Sequence, residues 1–261
     1  MPWQDIVTIR EKSPLVHNIT NYVVMNTTAN ALLAVGASPV MAHAVEEVEE
    51  LAAVAGALVI NIGTLSPPWV EAMLLAGRAA KKNGVPLVFD PVGCGATRLR
   101  SRAAQELIQN ARPSIIRGNA SEIHALLHAG SGGKGVDSLL RPDQIENEAT
   151  ELSRATGAVV SVSGPVDLIV QGDKAVRVAN GHPLMARVTG MGCTASAVTG
   201  AFAAVNDSPL KAAAHAMALM GVAGEMAAER CQGPGSFWPL FLDTLSLIQE
   251  SDLARRLKVQ W

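Results

Sequence analysis

Residues 57–62 form a run that is apolar but for Asn61 and is closed by Gly63-Thr64, and this run limits the possible folds more than any other stretch. Hydrophobicity that is continuous rather than alternating means burial on both faces, which is the condition of a strand inside a parallel sheet. Residues 86–89 and 158–163 repeat the pattern. Between the first two, residues 67–83 read as a helix that Gly84 stops. Strands alternating with helices from residue 15 to residue 163 predict an α/β fold, with a mostly parallel central sheet covered by helices on both faces.

The remaining elements follow from the same signals. Helices are expected at 6–12, 21–35 with Gly36 as its stop, 100–110, 119–129 and 142–156, and short strands at 15–19, 38–42 and 114–116. Glu46, Glu47, Glu49 and Glu50 suit the acid-rich first turn of another helix. Residues 167–171 and 175–179, separated by Gly172-Asp173-Lys174, predict a hairpin. Three helices are expected to finish the chain, starting near Gly192, Pro209 and Ser236. Gly130-Ser131-Gly132-Gly133-Lys134-Gly135 spells GxGxxG but follows a helix and lacks P-loop spacing, so it reads as a flexible loop or flap. No repeat or linker divides the 261 residues, so residues 1–261 are expected to form one domain.

Composition narrows the partners. A formal net charge of -2 with scattered lysines and arginines argues against nucleic acid or an anionic membrane as the main partner. Three cysteines, Cys94, Cys193 and Cys231, form neither a CxxC pair nor an even disulfide framework, which indicates a reducing compartment. The first residues show no secretory pattern and no stretch is long and apolar enough to span a bilayer, so a cytoplasmic protein is expected. Aromatic residues make up 3%, while alanine, valine and leucine abound, which favours helices packed closely on a sheet.

In such sheets ligands bind beyond the carboxyl ends of the strands. Asp90, Arg117 and Ser163 all stand at predicted strand ends. Asp90 suits a Mg²⁺ ligand acting through water, or an aspartate capping its own loop. Glu122 falls three residues after Asn119, so it is a second acidic candidate and also half of a capping box. Arg117 suits a nucleotide phosphate or an ion pair, and Ser163 a phosphate or a turn.

The most suggestive stretch is Thr189-Gly190-Met191-Gly192-Cys193-Thr194, where two glycines precede a helix of small residues. Glycines permit close backbone approach, and the first turn of a helix offers unpaired N–H groups at the positive end of its dipole. A phosphate fits there without a cationic side chain. A glycine turn capping a buried helix would look the same. Cys193 can be a small core residue, a thiolate favoured by the helix N-terminus, or a group beside a reacting alcohol. Of the six histidines only His124 and His128 are close, four apart on one helix with no third metal ligand suggested.

With these residues in view the chain resembles hydroxyethylthiazole kinases of the ribokinase-like superfamily. The motifs that carry the resemblance run nearly end to end. They are Leu15-Val16-His17-Asn18-Ile19-Thr20-Asn21, Gly36-Ala37-Ser38-Pro39-Val40-Met41, Asn61-Ile62-Gly63-Thr64-Leu65, Asp90-Pro91-Val92, Ile116-Arg117-Gly118-Asn119-Ala120-Ser121-Glu122, Gly190 to Cys193, and Gly233-Pro234-Gly235-Ser236-Phe237. The resemblance implies a three-layer αβα sandwich that phosphorylates the primary alcohol of 4-methyl-5-(2-hydroxyethyl)thiazole with ATP and Mg²⁺, a thiamine salvage step. It implies nucleotide contacts at Arg117 and Ser163, metal-holding acids at Asp90 and Glu122, and thiazole contacts at Met41 and Gly190, with Asn21 and Val23 on a substrate-side loop. It places Gly190, Gly192 and Cys193 at the reacting group, with Cys193 where related sugar kinases carry an aspartate base. It also implies a homotrimer whose pockets lie at subunit boundaries. Met191 stands where threonine is usual, which should matter little because the backbone N–H is unchanged, and Pro165 stands where an acid is frequent. Kinases of hydroxymethylpyrimidine or pyridoxal, an ADP- or ATP-dependent hydrate dehydratase on the same scaffold, and a non-enzymatic nucleotide-binding module are the alternatives.

Overall fold

The computed structural model describes residues 2–128 and 142–261. The glycine-rich stretch at 130–135 lies outside the described residues. The first half of the chain alternates as expected: α1 (Pro2–Lys12), β1 (Leu15–Ile19), α2 (Met25–Val35), β2 (Ser38–Val40), α3 (Val48–Val54), β3 (Ala57–Asn61), α4 (Pro67–Asn83), β4 (Leu87–Asp90), α5 (Arg98–Ala111), β5 (Ile115–Asn119) and α6 (Ala120–Leu127). The second half holds α7 (Pro142–Thr156), β6 (Val159–Ser163), β7 (Asp167–Gln171), β8 (Lys174–Val178), a 3-10 turn at Pro183–Arg187, α8 (Met191–Ala203), α9 (Pro209–Ala228), α10 (Pro234–Leu247), α11 (Glu250–Arg256) and β9 (Val259–Gln260).

All nine strands join one sheet in the order β2-β1-β3-β4-β5-β6-β7-β8-β9. The six strands from β2 to β6 in that order are parallel, and the β7–β8 hairpin and β9 add an antiparallel edge. Because successive strand side chains face opposite ways, each buried strand feeds two cores. Val16, Val59, Val88, Ile115 and Val159 face a core shared with α1, α2, α8, α9 and α10. Ile19, Leu58, Ile60, Phe89, Ile116 and Val160 face the other core, built with α3, α4, α5, α6 and α7. The result is the expected three-layer αβα sandwich.

The small residues of α8 explain how it lies so close to the sheet. A Cβ on Gly200 would stand 2.6 Å from Val59 Cγ2 and 3.1 Å from Val16 Cγ1. Gly200→Ala is therefore expected to lower stability by about 1–3 kcal/mol through overpacking, read as a lower denaturant midpoint with an unchanged slope. That close seat fixes the height of the first turn of α8 above the strand ends.

Two expectations need correction. The second helix begins at Met25 rather than residue 21, because Asn21 Oδ1 accepts from Val23 N–H at 3.1 Å and folds residues 21–24 into a turn. Four helices rather than three finish the chain. The extra one, α11, starts on a capping box between Gln249 and Asp252, and β9 then extends the antiparallel edge.

Candidate active site

The carboxyl ends of β3, β4 and β5 and the first turn of α8 meet at one place, and their polar side chains are joined in a chain of hydrogen bonds. Asn21 Nδ2 donates to Asn61 Oδ1 at 2.8 Å and, at 3.5 Å, to Cys193 Sγ. Asn61 Nδ2 donates to Asp90 Oδ2 at 2.8 Å. Ser196 Oγ donates to the same Asp90 oxygen at 2.7 Å. Arg117 Nη1 donates to Gly192 O at 2.9 Å and to Ser196 Oγ at 3.4 Å. Asn21, Asn61, Asp90, Arg117 and Ser196 are all buried, so each bond lies in a medium where electrostatic interactions are strong.

The turn before α8 has the form that an anion pocket needs. Gly190 is left-handed with φ 83°, and a Cβ there would stand 2.7 Å from Val24 Cγ1. Thr194 N–H closes the first helical bond, to Gly190 O at 2.8 Å. By helix geometry the N–H groups of Met191, Gly192 and Cys193 precede any intrahelical acceptor and remain available at the positive end of the dipole. Arg117 holds the Gly192 carbonyl from behind. Its Nε has no partner among the described residues, so the guanidinium keeps donor capacity for a further acceptor.

Burial pushes the Asp90 carboxyl up to about 6, with Arg117 pulling it down and Glu122 pushing it up. Of the three readings of Cys193, its surroundings disfavour the thiolate. Burial is the largest effect and the Asp90 charge adds to it, and together they hold the thiol above its ordinary value.

Glu122 forms the expected capping box, its carboxylate accepting from Asn119 N–H at 2.8 Å while its own N–H donates to Asn119 Oδ1 at 2.9 Å. Its second oxygen accepts from Gly93 N–H at 2.9 Å, so the glutamate is fixed beside the loop after β4. Two carboxylates near enough to feel one another's charge, as Asp90 and Glu122 are, suit a hard dication that keeps most of its waters. The donor set therefore fits Mg²⁺: both bonds to Asp90 fall on Oδ2, and Asp90 sits in the field of Glu122.

On the β5–β6 side lies a cavity of about 600 Å³ whose lining includes Arg117, Ser163, Asp167, Met191, Gly192 and Met217. Ser163 is half-buried and donates to Gly118 O at 3.3 Å. Asp167 accepts from Gly164 N–H at 3.0 Å, so an acidic group occupies this wall although Pro165 replaces the usual one. Met191 lines the same cavity. On the β1–β2 side the geometry is looser. Met41 follows β2, half-buried, and its carbonyl meets His43 Nδ1 at 3.4 Å. Val23 is 63% exposed and its N–H donates to Asn21 Oδ1 of the polar cluster. Tyr22 and His43 pack on Trp69 with ring centroids 4.8 and 4.6 Å apart, which gives this side an aromatic wall.

Three participants escaped the reading from sequence. Asn61 is the one polar residue of the apolar run 57–62, and a polar residue at the carboxyl end of a buried strand is the signal that could have found it. Ser196 lies four residues after Gly192 on the same helix face. Arg100 donates to Ile62 O at 2.7 Å, Val92 O at 2.6 Å and Gly63 O at 2.7 Å, which pins the loops after β3 and β4 together. Nothing in its sequence context distinguishes it from a solvated helix arginine.

Comparison with known proteins agrees with this geometry. A family model described as the hydroxyethylthiazole kinase family matches residues 6–251. A hydroxyethylthiazole kinase of Syntrophus aciditrophicus (strain SB) is 56% identical over 259 residues, covering 98% of this chain and 96% of that protein. One of Nitratidesulfovibrio vulgaris (strain DSM 19637 / Miyazaki F) is 52% identical over 257 residues, with the same coverage. The solved structure of a hydroxyethylthiazole kinase protein from Pyrococcus horikoshii OT3 superposes with a TM-score of 0.92 at 44% identity, covering 99% of this chain and 98% of that one. Pyridoxal kinase from Staphylococcus aureus, in complex with AMP-PCP and pyridoxal, shares the fold at a TM-score of 0.63 and 16% identity, covering 82% of this chain and 88% of that one. Since the family model spans most of the chain and the relatives align almost end to end, this chain belongs to the hydroxyethylthiazole kinase family.

Proposed function

We propose that the chain transfers the γ-phosphoryl group of ATP to the primary alcohol of 4-methyl-5-(2-hydroxyethyl)thiazole, a step of thiamine salvage. The observation that carries the reading is the first turn of α8, whose free N–H groups stand between the Arg117-lined cavity and the Asn21, Asn61 and Cys193 cluster. ATP would occupy the cavity, with Arg117 and Ser163 near its phosphates. The thiazole would lie on the other side against Met41, Gly190, Asn21 and Val23. Homotrimer formation would complete that half with residues of a neighbour, for which the exposed Tyr22 and Val23 offer apolar surface. Residues 1–261 act as one domain in this reading. Its three cysteines are free thiols, as expected in the cytoplasm, and no described helix is long and apolar enough to cross a membrane.

The alcohol oxygen attacks the γ-phosphorus as the bond to the β–γ bridging oxygen breaks, and ADP leaves. The transition state is loose, so positioning and charge neutralisation do most of the work. The N–H groups of Gly192 and Cys193 meet the charge on the equatorial oxygens. Asp90 and Glu122 would hold Mg²⁺ through water, and the ion would supply neutralisation of the phosphate charge. Burial and the Asp90 charge disfavour the Cys193 thiolate, so in this reading the thiol orients the alcohol and does not take the proton. The alcohol proton departs late, to a phosphoryl oxygen or solvent.

Cys193→Ala is accordingly expected to lower kcat by only about 5- to 50-fold, within the range for an orienting group. A loss of about a thousandfold or more in steady-state kinetics would make the thiol the base and overturn this reading. ADP release measured with a panel of alcohols tests the activity itself. Fast release with the thiazole alcohol supports it. Preference for hydroxymethylpyrimidine or pyridoxal, or ADP release with no phosphorylated organic product, would contradict it.

A further inference from the structure

We propose that His124, His128 and Glu148 form a binding site for a divalent transition metal of borderline softness, with Zn²⁺ the best match, on the flank of the molecule and apart from the Mg²⁺ site. The two histidines lie one turn apart, His124 in α6 and His128 as its C-cap residue. The third ligand, Glu148, comes from α7, which packs against α6. The fold thus supplies what the spacing of two histidines alone did not suggest.

The geometry is close to a coordination sphere. His124 Nδ1 is 2.8 Å from Glu148 Oε1 and 3.0 Å from Oε2, and His128 Nε2 is 3.5 Å from Oε1. One ligand atom from each of the three residues lies within 4.8 Å of the other two. In a tetrahedral zinc site with bonds of about 2.0–2.1 Å, ligand atoms stand about 3.3 Å apart. Entry of the ion requires both rings to present an unprotonated nitrogen to the centre, and the side chains to draw in around it.

Donor chemistry selects the ion. Two imidazoles and one carboxylate suit Zn²⁺, Co²⁺ or Ni²⁺, whereas Mg²⁺ and Ca²⁺ prefer oxygen donors. Three protein ligands leave a fourth position for water. The Glu148 side chain is 17% exposed, His124 22% and His128 47%, so a largely buried carboxylate stands beside imidazoles that reach the surface. The bound ion would tie the end of α6 to α7, and α6 is the helix whose first turn carries Glu122.

The test uses the full chain, free of affinity tag and stripped with chelator. Calorimetric titration with Zn²⁺, together with Co²⁺ spectra, should show one site with nitrogen and oxygen donors. Saturating Zn²⁺ should raise Tm by about 5 °C. His128→Ala, at the most exposed of the three positions, should weaken Zn²⁺ binding at least tenfold while leaving kinase activity without added zinc unchanged. Glu148→Gln should do the same if it folds. Wild-type protein that binds no Zn²⁺, or binding that is equally tight in His128→Ala, overturns the proposal. A Co²⁺ spectrum dominated by thiolate absorption would also overturn it, because it would place the ion on a cysteine. None of these readouts depends on the identity of the kinase substrate.

Discussion

Asp90→Asn is expected to reduce kcat/KM by at least about a thousandfold and at the same time to make the substrate-free protein more stable at alkaline pH. The activity loss follows because the carboxylate is the buried negative charge facing Arg117 and the first turn of α8, and asparagine keeps the shape without the charge. The gain in stability follows from linkage. The carboxyl has a folded-state value of about 6 against an ordinary 3.8, chiefly through burial. Between those values the folded protein holds a proton that the unfolded chain has lost, so stability falls as pH rises through the window, and the deficit is complete above it. Asparagine carries no such cost. The expected gain is on the order of 1–3 kcal/mol at pH 8 and close to zero near pH 4. Thermal melts of wild type and variant at both pH values measure it. A variant less stable than wild type at pH 8 would show that the buried charge is compensated by Arg117, Ser196 and Asn61.

Arg117→Ala is expected to have the second largest effect, a fall in kcat/KM of about 10²- to 10³-fold with KM for ATP raised. The guanidinium does two things at once: it faces the nucleotide cavity, and it holds the Gly192 carbonyl at 2.9 Å, steadying the turn that presents the amide groups. Its removal leaves Asp90 without the cation that lowers its pKa, so the carboxyl moves further up. Arg117→Lys should restore little, because a single ammonium cannot hold both the carbonyl and a phosphate in the fork geometry. Initial rates against ATP and thiazole concentration separate the two contributions. An unchanged KM for ATP in Arg117→Ala would remove the residue from the nucleotide side.

The layered fold was legible because its strands are buried on both faces and its helices end at glycines such as Gly36 and Gly84, which are left-handed in the structure. Asp90 and Ser163, which end β4 and β6, were legible for the same reason, since an apolar run that stops at a polar residue shows where the sheet opens, whereas Arg117 lies two residues inside β5, which runs on to Asn119 beyond the expected 114–116. What the sequence did not reveal depends on contacts between distant segments. Asn21 meets Asn61 across 40 positions and Ser196 meets Asp90 across 106, and no local pattern encodes either pair. Which of the three readings of Cys193 holds was not legible, because its local setting, a helix N-terminus, favours ionisation. Burial and a carboxylate from another strand outweigh that setting. Glu148 escaped notice as a partner of His124 and His128 because it lies on the next helix.

The central claim is that backbone N–H groups of the turn at Gly190 to Cys193 hold the migrating phosphoryl group. Its most direct test is a crystal structure with thiazole alcohol, Mg²⁺ and a non-hydrolysable ATP analogue. The account predicts a γ-phosphate oxygen about 3 Å from the Gly192 or Cys193 nitrogen, with the alcohol oxygen on the Asn21 side. A γ-phosphate seated more than about 6 Å from every amide of that turn would contradict it.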